Sequence, residues 1–462
     1  MGRFICAAVI RLVFVAVGGA SAGVATAETQ SPPDRPNIVF IMADDLGYAD
    51  LGCYGQEKIR TPNLDRMAAE GLRFTQAYCG TSVCAPSRCI LMTGLHGGHS
   101  YIRANKATPP EGQEPIPAGT FTVARMLQQA GYRTACIGKW GLGGTGSSGA
   151  PEKQGFDHFF GYICQSKAHE YYPEYLWRNG QRVELDGRTY SHDLMADDAL
   201  KWVRDNRDRP FFLYLPFTIP HSKLQVPDLG PYADEPWIPE AKAFAAMIAR
   251  MDRDIGRLLD LLKELGLDTK TLVMFTSDNG SFGGRMRDFF KSGGELRGIK
   301  RSMYEGGLRV PMIARWPGHV PAGKVSDEPW AFYDFLPTCA EVAAARPPAG
   351  LKLDGISVLP ALLGGRLPAR EYLYWELHEP HSQQAARFGD IKAVRPGWNA
   401  PIEIYDLKAD PGEQHNLAGV RPELVKKAEG LLKSARVDST LWPIKLPRAA
   451  TATASRPAGN RE

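Results

Sequence analysis

The feature that most restricts the fold is a series of short apolar runs that alternate with helical segments. The runs cover residues 37–42, 133–138, 210–217 and 271–280. A run that is apolar throughout, rather than at every second residue, is typical of a parallel strand buried on both faces. Because helical segments separate the runs, we predict an α/β fold with a large, mostly parallel sheet sandwiched by helices.

The pattern of the sequence changes after about residue 365. Residues 366–446 contain short segments of alternating polarity with turn residues between them, and a helical pattern follows Arg421. This pattern predicts a smaller antiparallel sheet plus a helix. We therefore expect a catalytic α/β domain over residues 28–365, a C-terminal α+β subdomain over residues 366–446 and a disordered tail over residues 447–462.

The first 27 residues have the pattern of a secretory signal peptide. Arg3 and Arg11 lie within an apolar stretch that ends in the small residues Ala25, Thr26 and Ala27. A membrane anchor is the weaker interpretation, because Arg11 and several small residues leave the apolar stretch short of a bilayer span. We expect an exported protein, periplasmic or extracellular, with no stable membrane insertion after the leader is removed.

The formal net charge of the chain is +4, and Arg3 and Arg11 of the leader supply two of these charges. A mature chain so close to neutrality has no strong electrostatic attraction for nucleic acid or anionic lipid. Any anionic substrate must therefore be bound by local groups.

Loss of Cys6 with the leader leaves seven cysteines, which is an odd number. Export permits disulfides, and even three pairs would leave one thiol that needs a chemical explanation. Free structural cysteines are the alternative, since a chain of this length does not need covalent staples. The seven are Cys53, Cys79, Cys84, Cys89, Cys136, Cys164 and Cys339.

Oxygen-bearing side chains follow the first and the last of the apolar runs. Asp44 and Asp45 close the first run, and Asp278 and Asn279 close the last. Because α/β sheets bind ligands at the carboxyl ends of neighbouring strands, we expect these four groups to converge there. Hard oxygen ligands suit Ca²⁺ or Mg²⁺. Turn capping is the alternative role for each pair alone.

Cys84 stands in "TSVCAPSRCILMTG" at the predicted start of a helix, with Pro86 in the first turn. Unpaired backbone donors and the helix dipole favour a negative group at such a position. Arg88 follows one turn later on the same face, where it can meet an anion held at residue 84. A plain structural cysteine is the alternative role for Cys84 taken alone.

Residues 141–188 form a glycine-rich and then aromatic stretch that is too long and irregular for a plain crossover. Loops of this kind in compact domains commonly carry function. Its aromatic side chains either stack on sugar faces or pack within the loop, and packing is the more common role. They are Tyr171, Tyr172, Tyr175 and Trp177.

Taken together, these motifs resemble the sulfatase family of the alkaline phosphatase superfamily. The family pattern Cys-x-Pro-Ser-Arg, followed by leucine and Thr-Gly, is met here by Cys84, residues 86–88, Leu91 and residues 93–94. Leu91 is one position from the family spacing, and the alternative is that Met92 fills the leucine position. The resemblance spans nearly the whole mature chain, through "MADDLGYADLGCYG", "GKWGLG", "PFTIPHSKLQVP", "TSDNG", "RGIKRSMYEGGLRVP" and "IEIYDLKADPGEQHNLA".

The resemblance implies a nucleophile made by modification and an alkaline phosphatase-like fold. A separate formylglycine-generating enzyme would oxidise Cys84 to formylglycine, and one hydroxyl of the hydrated aldehyde would attack sulfur. Deprotonation of the second hydroxyl would then expel sulfate. The family's calcium ligands are matched by Asp44, Asp45, Asp278 and Asn279, with residue 84 and the sulfate completing the coordination sphere.

The resemblance also implies roles for the cationic motif residues. Arg88 would polarise the nucleophile, while Lys139 and Lys300 would bind sulfate oxygens and stabilise the charge that develops in transfer. His221 would protonate the departing alcohol.

One position departs from the family pattern. Gly141 of "GKWGLG" stands where many members have a histidine that contacts the formylglycine diol. We hypothesise that another histidine supplies this function, with His99 and His169 as candidates because both lie near motif segments. Arg103, in the same segment as His99, is a further candidate for substrate binding.

We therefore predict an arylsulfatase-like sulfuric ester hydrolase that acts on a sulfated glycan or an aryl sulfate. One alternative is a phosphonate monoester or phosphodiester hydrolase of the same superfamily. The other is a secreted protein that binds sulfated glycans without turnover, which the glycine at position 141 suggests. The intact nucleophile precursor and metal ligands favour catalysis.

Overall fold

The computed structural model describes residues 1–2 and 35–447. Its main feature is a ten-stranded sheet, beside a separate four-stranded sheet and a two-stranded one. All but the first two residues of the predicted signal peptide, and the predicted tail from residue 448 onward, lie outside the described residues.

The strands within the described residues are β1 Asn37–Ala43, β2 Leu72–Phe74, β3 Ala77–Tyr78, β4 Arg133–Lys139, β5 His158–Tyr162, β6 Tyr175–Arg178, β7 Gln181–Glu184, β8 Phe211–Pro216, β9 Thr271–Ser277, β10 Met312–Arg315, β11 Lys324–Ser326, β12 Trp330–Ala331, β13 Leu373–His378, β14 Ser382–Phe388, β15 Ile391–Arg395 and β16 Glu403–Asp406. The α-helices in the same part of the chain are α1 Pro62–Ala69, α2 Cys84–Thr93, α3 Val123–Gln129, α4 Ser191–Asn206, α5 Pro239–Glu264, α6 Arg285–Phe290, α7 Glu305–Leu308, α8 Phe335–Val342, α9 Leu359–Leu362 and α10 Pro422–Ser434.

The large sheet has the order β11-β2-β10-β9-β1-β8-β4-β5-β6-β7, and its centre is parallel. Strands β9, β1, β8, β4 and β5 run in one direction, and antiparallel pairs join β10 and β6 to them. The predicted α/β class with a mostly parallel sheet is confirmed.

Strand β1 is buried on both faces, which explains its unbroken apolar sequence. Ile38 and Phe40 belong to a core shared with α2, α3 and α8, whereas Val39 and Ile41 belong to a second core shared with α1, α4 and α5. Alternate residues of one strand therefore anchor the helices on opposite faces of the sheet.

The stretch over residues 141–188 is more regular than its sequence suggested. It contributes β5, β6 and β7, which extend the large sheet and end it with two antiparallel pairs. The sequence did not indicate β6 and β7, because both strands are short and partly exposed, and β7 lies at the edge of the sheet.

The C-terminal strands β13 to β16 form the predicted antiparallel sheet, each paired with the next along the chain. Helix α10 covers one face through Ala428 and Leu432, which share a core with Tyr374 and Ala386. The smaller sheet plus helix is therefore confirmed.

All seven cysteines of the predicted mature chain are free thiols, and only Cys53 among them is not fully buried. This agrees with the alternative of structural cysteines and leaves Cys84 as a thiol that can be modified. Among residues 1–2 and 35–447, no helix combines the length and apolar character needed to cross a bilayer.

Candidate active site

Polar side chains converge where four central parallel strands end. Asp44 and Asp45 follow β1, Asp278 follows the neighbouring β9, Lys139 is the last residue of β4, and His221 follows β8. These residues are all buried. Charged and ionisable side chains thus line the carboxyl edge of the sheet, where α/β folds bind ligands.

Helix α2 aims its N-terminus at this edge. It begins at Cys84 after the extended Val83 and ends at Gly94 in the left-handed region, with a φ of 69°. The hydroxyl of Ser87 donates to the backbone oxygen of Asp278 at 2.6 Å and accepts from the amide of Gly80 at 3.1 Å. Ser87 of the sulfatase-like motif therefore fixes the helix start against the end of β9.

Cys84 lies between a carboxylate and an ammonium group of this cluster. Its Sγ is 3.7 Å from Oδ1 of Asp44 and accepts from Nζ of Lys300 at 3.3 Å. Burial raises the pKa of the thiol to about 12, although Lys139 and Lys300 favour its ionisation. Unmodified Cys84 is therefore a neutral thiol at physiological pH and a poor nucleophile.

Two lysines hold the two adjacent aspartates. Nζ of Lys139 donates to Oδ2 of Asp44 at 2.7 Å, and Nζ of Lys300 donates to Oδ1 and Oδ2 of Asp45 at 2.7 and 2.8 Å. Burial opposes ionisation of Asp44, but Lys139, His221 and the other cations nearby hold its pKa well below the ordinary value. Asp44 is therefore a carboxylate in spite of its burial.

Asp45 has a left-handed backbone, with a φ of 64°, which only a few per cent of non-glycine residues adopt. Its backbone amide donates to Oδ1 of Asp278 at 3.1 Å, so the turn after β1 is tied directly to the end of β9. Strained backbone of this kind concentrates at functional sites, where the surrounding contacts maintain it.

Arg88 binds the carboxylates rather than residue 84. Its Nη2 donates to Oδ2 of Asp278 at 2.8 Å and lies 3.6 Å from Oδ1 of Asp44, while Nη1 donates to the backbone oxygen of Lys139 at 2.7 Å. Burial and the charge of Asp44 raise the pKa of Asp278, and Arg88 partly offsets them. Arg88 thus supports the metal-ligand candidates and joins three strand ends.

The donors in this cluster fit a hard divalent cation. Oδ1 of Asn279 is buried and has no hydrogen-bond partner among the described residues, while Nδ2 of Asn279 donates to Oδ1 of Asp45 at 2.6 Å. Asp44, Asp45, Cys84 and His221 also have potential ligand atoms within 4.8 Å of one another. A set of carboxylates with an unsatisfied amide oxygen is a donor set that suits Ca²⁺.

His221 reaches the cluster through its Nε2 atom, which lies 3.1 Å from Oδ2 of Asp45 and 3.3 Å from Nζ of Lys300. Its ring is stacked on that of His169, with centroids 3.7 Å apart and planes 7° apart. The hydroxyl of Tyr171 donates to the backbone oxygen of His221 at 2.9 Å. One member of the predicted aromatic cluster is therefore a buried residue that positions His221.

Gly141 has a φ of +81°, and the space beside it is filled by another side chain. A Cβ atom at position 141 would lie 1.8 Å from Nε2 of Gln165 and 2.7 Å from Cδ of the same residue. Both amide atoms of Gln165 are buried and lack hydrogen-bond partners among the described residues, as does Nε2 of His169. The segment that carries Gln165 and His169 thus presents three unsatisfied polar atoms.

Sequence reasoning did not find Gln165. The glycine at position 141 indicated that a side chain was missing, but no pattern in the sequence connects residue 141 with residue 165. Their proximity follows from the pairing of β4 with β5, the strands that precede them.

The other two substrate-binding candidates make contacts away from Cys84. Nδ1 of His99 lies 2.9 Å from Oδ1 of Asp354. Arg103 is buried and donates to Oε1 of Glu376 in β13 at 2.9 Å. These contacts give both residues structural partners in the segments after α8.

A cavity of about 280 Å³ opens beside Asp45 and His221. Its walls include the apolar side chains of Leu224, Phe282 and Met286, and Phe282 is half exposed. The cavity offers space for an organic group next to the imidazole of His221.

Comparison with known proteins identifies the family. Residues 36–345 match the family model described as Sulfatase, and residues 298–434 match N-sulphoglucosamine sulphohydrolase, C-terminal. N-acetylgalactosamine-6-sulfatase of Homo sapiens is 34% identical over 417 residues, which cover 84% of this chain and 77% of that protein. Arylsulfatase A of Homo sapiens is 34% identical over 477 residues, which cover 88% of this chain and 89% of that protein.

A solved structure of similar fold is that of Ps i-CgsB in complex with k-i-k-neocarrahexaose. It superimposes with a TM-score of 0.77 at 30% sequence identity and covers 87% of this chain and 93% of that one. The match thus extends from the sequence motifs to the arrangement of the strands that carry them. The chain belongs to the sulfatase family of sulfuric ester hydrolases, as its motifs predicted.

Proposed function

We propose that this sulfatase hydrolyses sulfate esters of carbohydrates or aryl alcohols with a formylglycine nucleophile made from Cys84. The observation that carries the proposal is the position of Cys84, at a helix N-terminus between Asp44 and Lys300 in a buried cluster. A neutral buried thiol has no evident chemical use there, whereas a precursor needs only this position.

Asp44, Asp45, Asp278 and Asn279 would hold the Ca²⁺ ion. When bound, the ion would polarise the nucleophile and neutralise charge on the sulfate group. Arg88 keeps Asp278 in place through its guanidinium, and Lys139 does the same for Asp44 through its ammonium group.

Lys139 and Lys300 supply fixed positive charge near residue 84. Both ammonium groups are buried, so their attraction for sulfate oxygens is weakly screened by water. Such preorganised cations stabilise the negative charge that accumulates on the oxygens as the ester bond breaks. The same pair would orient the sulfate for attack from residue 84.

His221 would protonate the leaving alcohol. Its Nε2 atom faces Asp45 and Lys300, and Nδ1 lies 2.9 Å from Oγ of Ser222, so the ring has a defined orientation. The stacked ring of His169 restricts the imidazole from one side. The cavity beside His221 would hold the organic part of the ester.

Gln165 would take over the contact that a histidine at position 141 makes in many family members. Its amide fills the space beside Gly141, and neither its donor nor its acceptor has a hydrogen-bond partner in residues 1–2 and 35–447. A neutral amide can orient a substrate or nucleophile oxygen but does not remove its proton at physiological pH. Any base for the second half-reaction must then be another group, and His169, whose ring stacks on that of His221, is a candidate by position.

The relatives favour a sulfated carbohydrate as substrate. One is named for N-acetylgalactosamine-6-sulfate chemistry, and Ps i-CgsB was solved with an oligosaccharide. The signal-like leader agrees with an exported enzyme that meets such polymers in the periplasm or outside the cell.

The test is turnover by full-length protein produced with a formylglycine-generating enzyme. Hydrolysis of a sulfated monosaccharide and an aryl sulfate, lost in Cys84→Ala, is the expected result. A higher rate with the matching phenyl phosphonate ester would favour the phosphonate hydrolase alternative. Binding of the sulfated sugar without hydrolysis by fully modified protein would instead favour the binding protein.

A further inference from the structure

A second cluster of potential metal ligands lies outside the catalytic cluster. His96 and His99 follow the C-terminus of α2, and Asp354 comes from the segment between α8 and α9. The two imidazole rings are stacked, with centroids 4.5 Å apart and planes 22° apart. Potential ligand atoms of all three residues lie within 4.8 Å of one another.

The carboxylate of Asp354 faces both rings. Nδ1 of His99 lies 2.9 and 3.0 Å from its two oxygens, and Nδ1 of His96 lies 3.6 Å from Oδ2. Two ligand atoms that are each about 2.0–2.1 Å from a tetrahedral metal ion are separated by about 3.3 Å. The observed separations fall on both sides of that value, so small side-chain adjustments would complete such a geometry.

His96 has an unsatisfied nitrogen in this cluster. The residue is only 4% exposed, and its Nδ1 atom has no hydrogen-bond partner among the described residues. A buried polar atom without a partner is costly, and such atoms are rare in native proteins. A cation between Nδ1 of His96 and the carboxylate of Asp354 would satisfy both groups.

We propose that His96, His99 and Asp354 bind a divalent transition-metal ion of the Zn²⁺, Co²⁺ or Ni²⁺ class, with water as a further ligand. Two imidazole nitrogens and one carboxylate suit these ions better than they suit Ca²⁺, which prefers oxygen donors. The side chain of His99 is 33% exposed, which gives the ion a route from solvent.

The bound ion would connect three parts of the chain. The ring of His96 contacts the rings of Tyr333 and Tyr374, and Gly97 packs against the backbone of Glu376 in β13. The ion would therefore fix the segment after α2 to the segment that carries Asp354 and to the C-terminal sheet. We expect it to stabilise the folded protein rather than to take part in sulfate transfer.

The test is a Zn²⁺ titration of full-length, Ca²⁺-loaded protein by calorimetry. The variants are His99→Gln and Asp354→Asn, and His415→Gln serves as a matched control because His415 is exposed and faces an aspartate, Asp410. Wild type and control should bind one more Zn²⁺ per chain than the two site variants. The thermal midpoints of wild type and control should also rise more with Zn²⁺ concentration than that of His99→Gln.

Glutamine at position 99 retains an amide donor toward Asp354, so this variant should fold even if Asp354→Asn does not. Zinc bound at the catalytic cluster would be common to all the proteins and would cancel in the comparison. Equal Zn²⁺ stoichiometry and equal thermal shifts in wild type and His99→Gln would overturn the proposal.

Discussion

Substitution of Gly141 by alanine tests whether Gln165 occupies the space of a missing side chain. The new Cβ atom would lie 1.8 Å from Nε2 of Gln165, so the buried glutamine must move. A φ of +81° adds backbone strain of about 1–2 kcal/mol for a residue other than glycine. Displacement of a packed side chain costs a further ~1–3 kcal/mol, so we expect a total loss of about 2–5 kcal/mol.

Gly146→Ala is the matched control. Gly146 has a similar φ of +75°, but nothing lies within 4 Å of a Cβ atom built there. Its substitution should therefore cost only the backbone strain. The difference between the two variants isolates the contact with Gln165.

The assay is urea unfolding of five proteins, namely wild type, Gly141→Ala, Gln165→Ala, the double variant at positions 141 and 165, and the control Gly146→Ala. In the Gln165→Ala background, Gly141→Ala should cost no more than Gly146→Ala, which gives a coupling of about 1–3 kcal/mol. Because both amide atoms of Gln165 are unsatisfied, Gln165→Ala alone should change stability little while lowering kcat/KM. Additive free energies, or equal costs at positions 141 and 146, would refute the assignment.

Three further predictions concern catalysis, metal and acid stability. His221→Ala should lower kcat for a sulfated sugar by a factor of about 10²–10⁴. The loss should be much smaller for a nitrophenyl sulfate, because its leaving group needs no proton. Equal losses for both substrates would contradict the role of His221. Removal of Ca²⁺ with a chelator should abolish turnover, and added Ca²⁺ should restore it, whereas unchanged turnover at full chelation would argue against the metal site. Glu376 is buried, but His378, Tyr374 and Arg103 lower its pKa from 4.5 to about 2, so its ionisation stabilises the fold above pH ~4.5. That contribution of about 3 kcal/mol should be lost as the pH falls toward 2, and acid unfolding curves of Glu376→Gln should lack this component.

The α/β class could be predicted because strands buried on two faces require continuous apolar sequence. Strand β1 is such a case, and its pairing with β9 brings Asp44 and Asp278 to the same edge. The convergence of the metal-ligand candidates therefore followed from local sequence plus one general rule about parallel sheets.

The contacts of Arg88 could be predicted only in part. Its helical spacing placed it on the same face as Cys84, but the sequence could not show that Asp278 and Asp44 would be its partners. Such pairing depends on how the helix N-terminus is docked against the strand ends, which is a property of tertiary packing.

The last two strands of the large sheet, β6 and β7, and several long-range contacts could not be predicted. Strands β6 and β7 lack an apolar run because one side faces solvent, and the contact between Gly141 and Gln165 joins two segments with no shared pattern. His99 lay near motif residues in sequence, but its partner Asp354 is 255 residues away in the chain. Proximity in sequence was therefore a poor guide to which histidine is near the nucleophile.

The most direct test of the account is the mass of the tryptic peptide over residues 74–88 from protein purified from its native host. If formylglycine is the nucleophile, the peptide carries an aldehyde in place of the Cys84 thiol, in a fraction of molecules that scales with the specific activity toward a sulfate ester. An unmodified thiol in active, natively produced protein would contradict the proposed nucleophile.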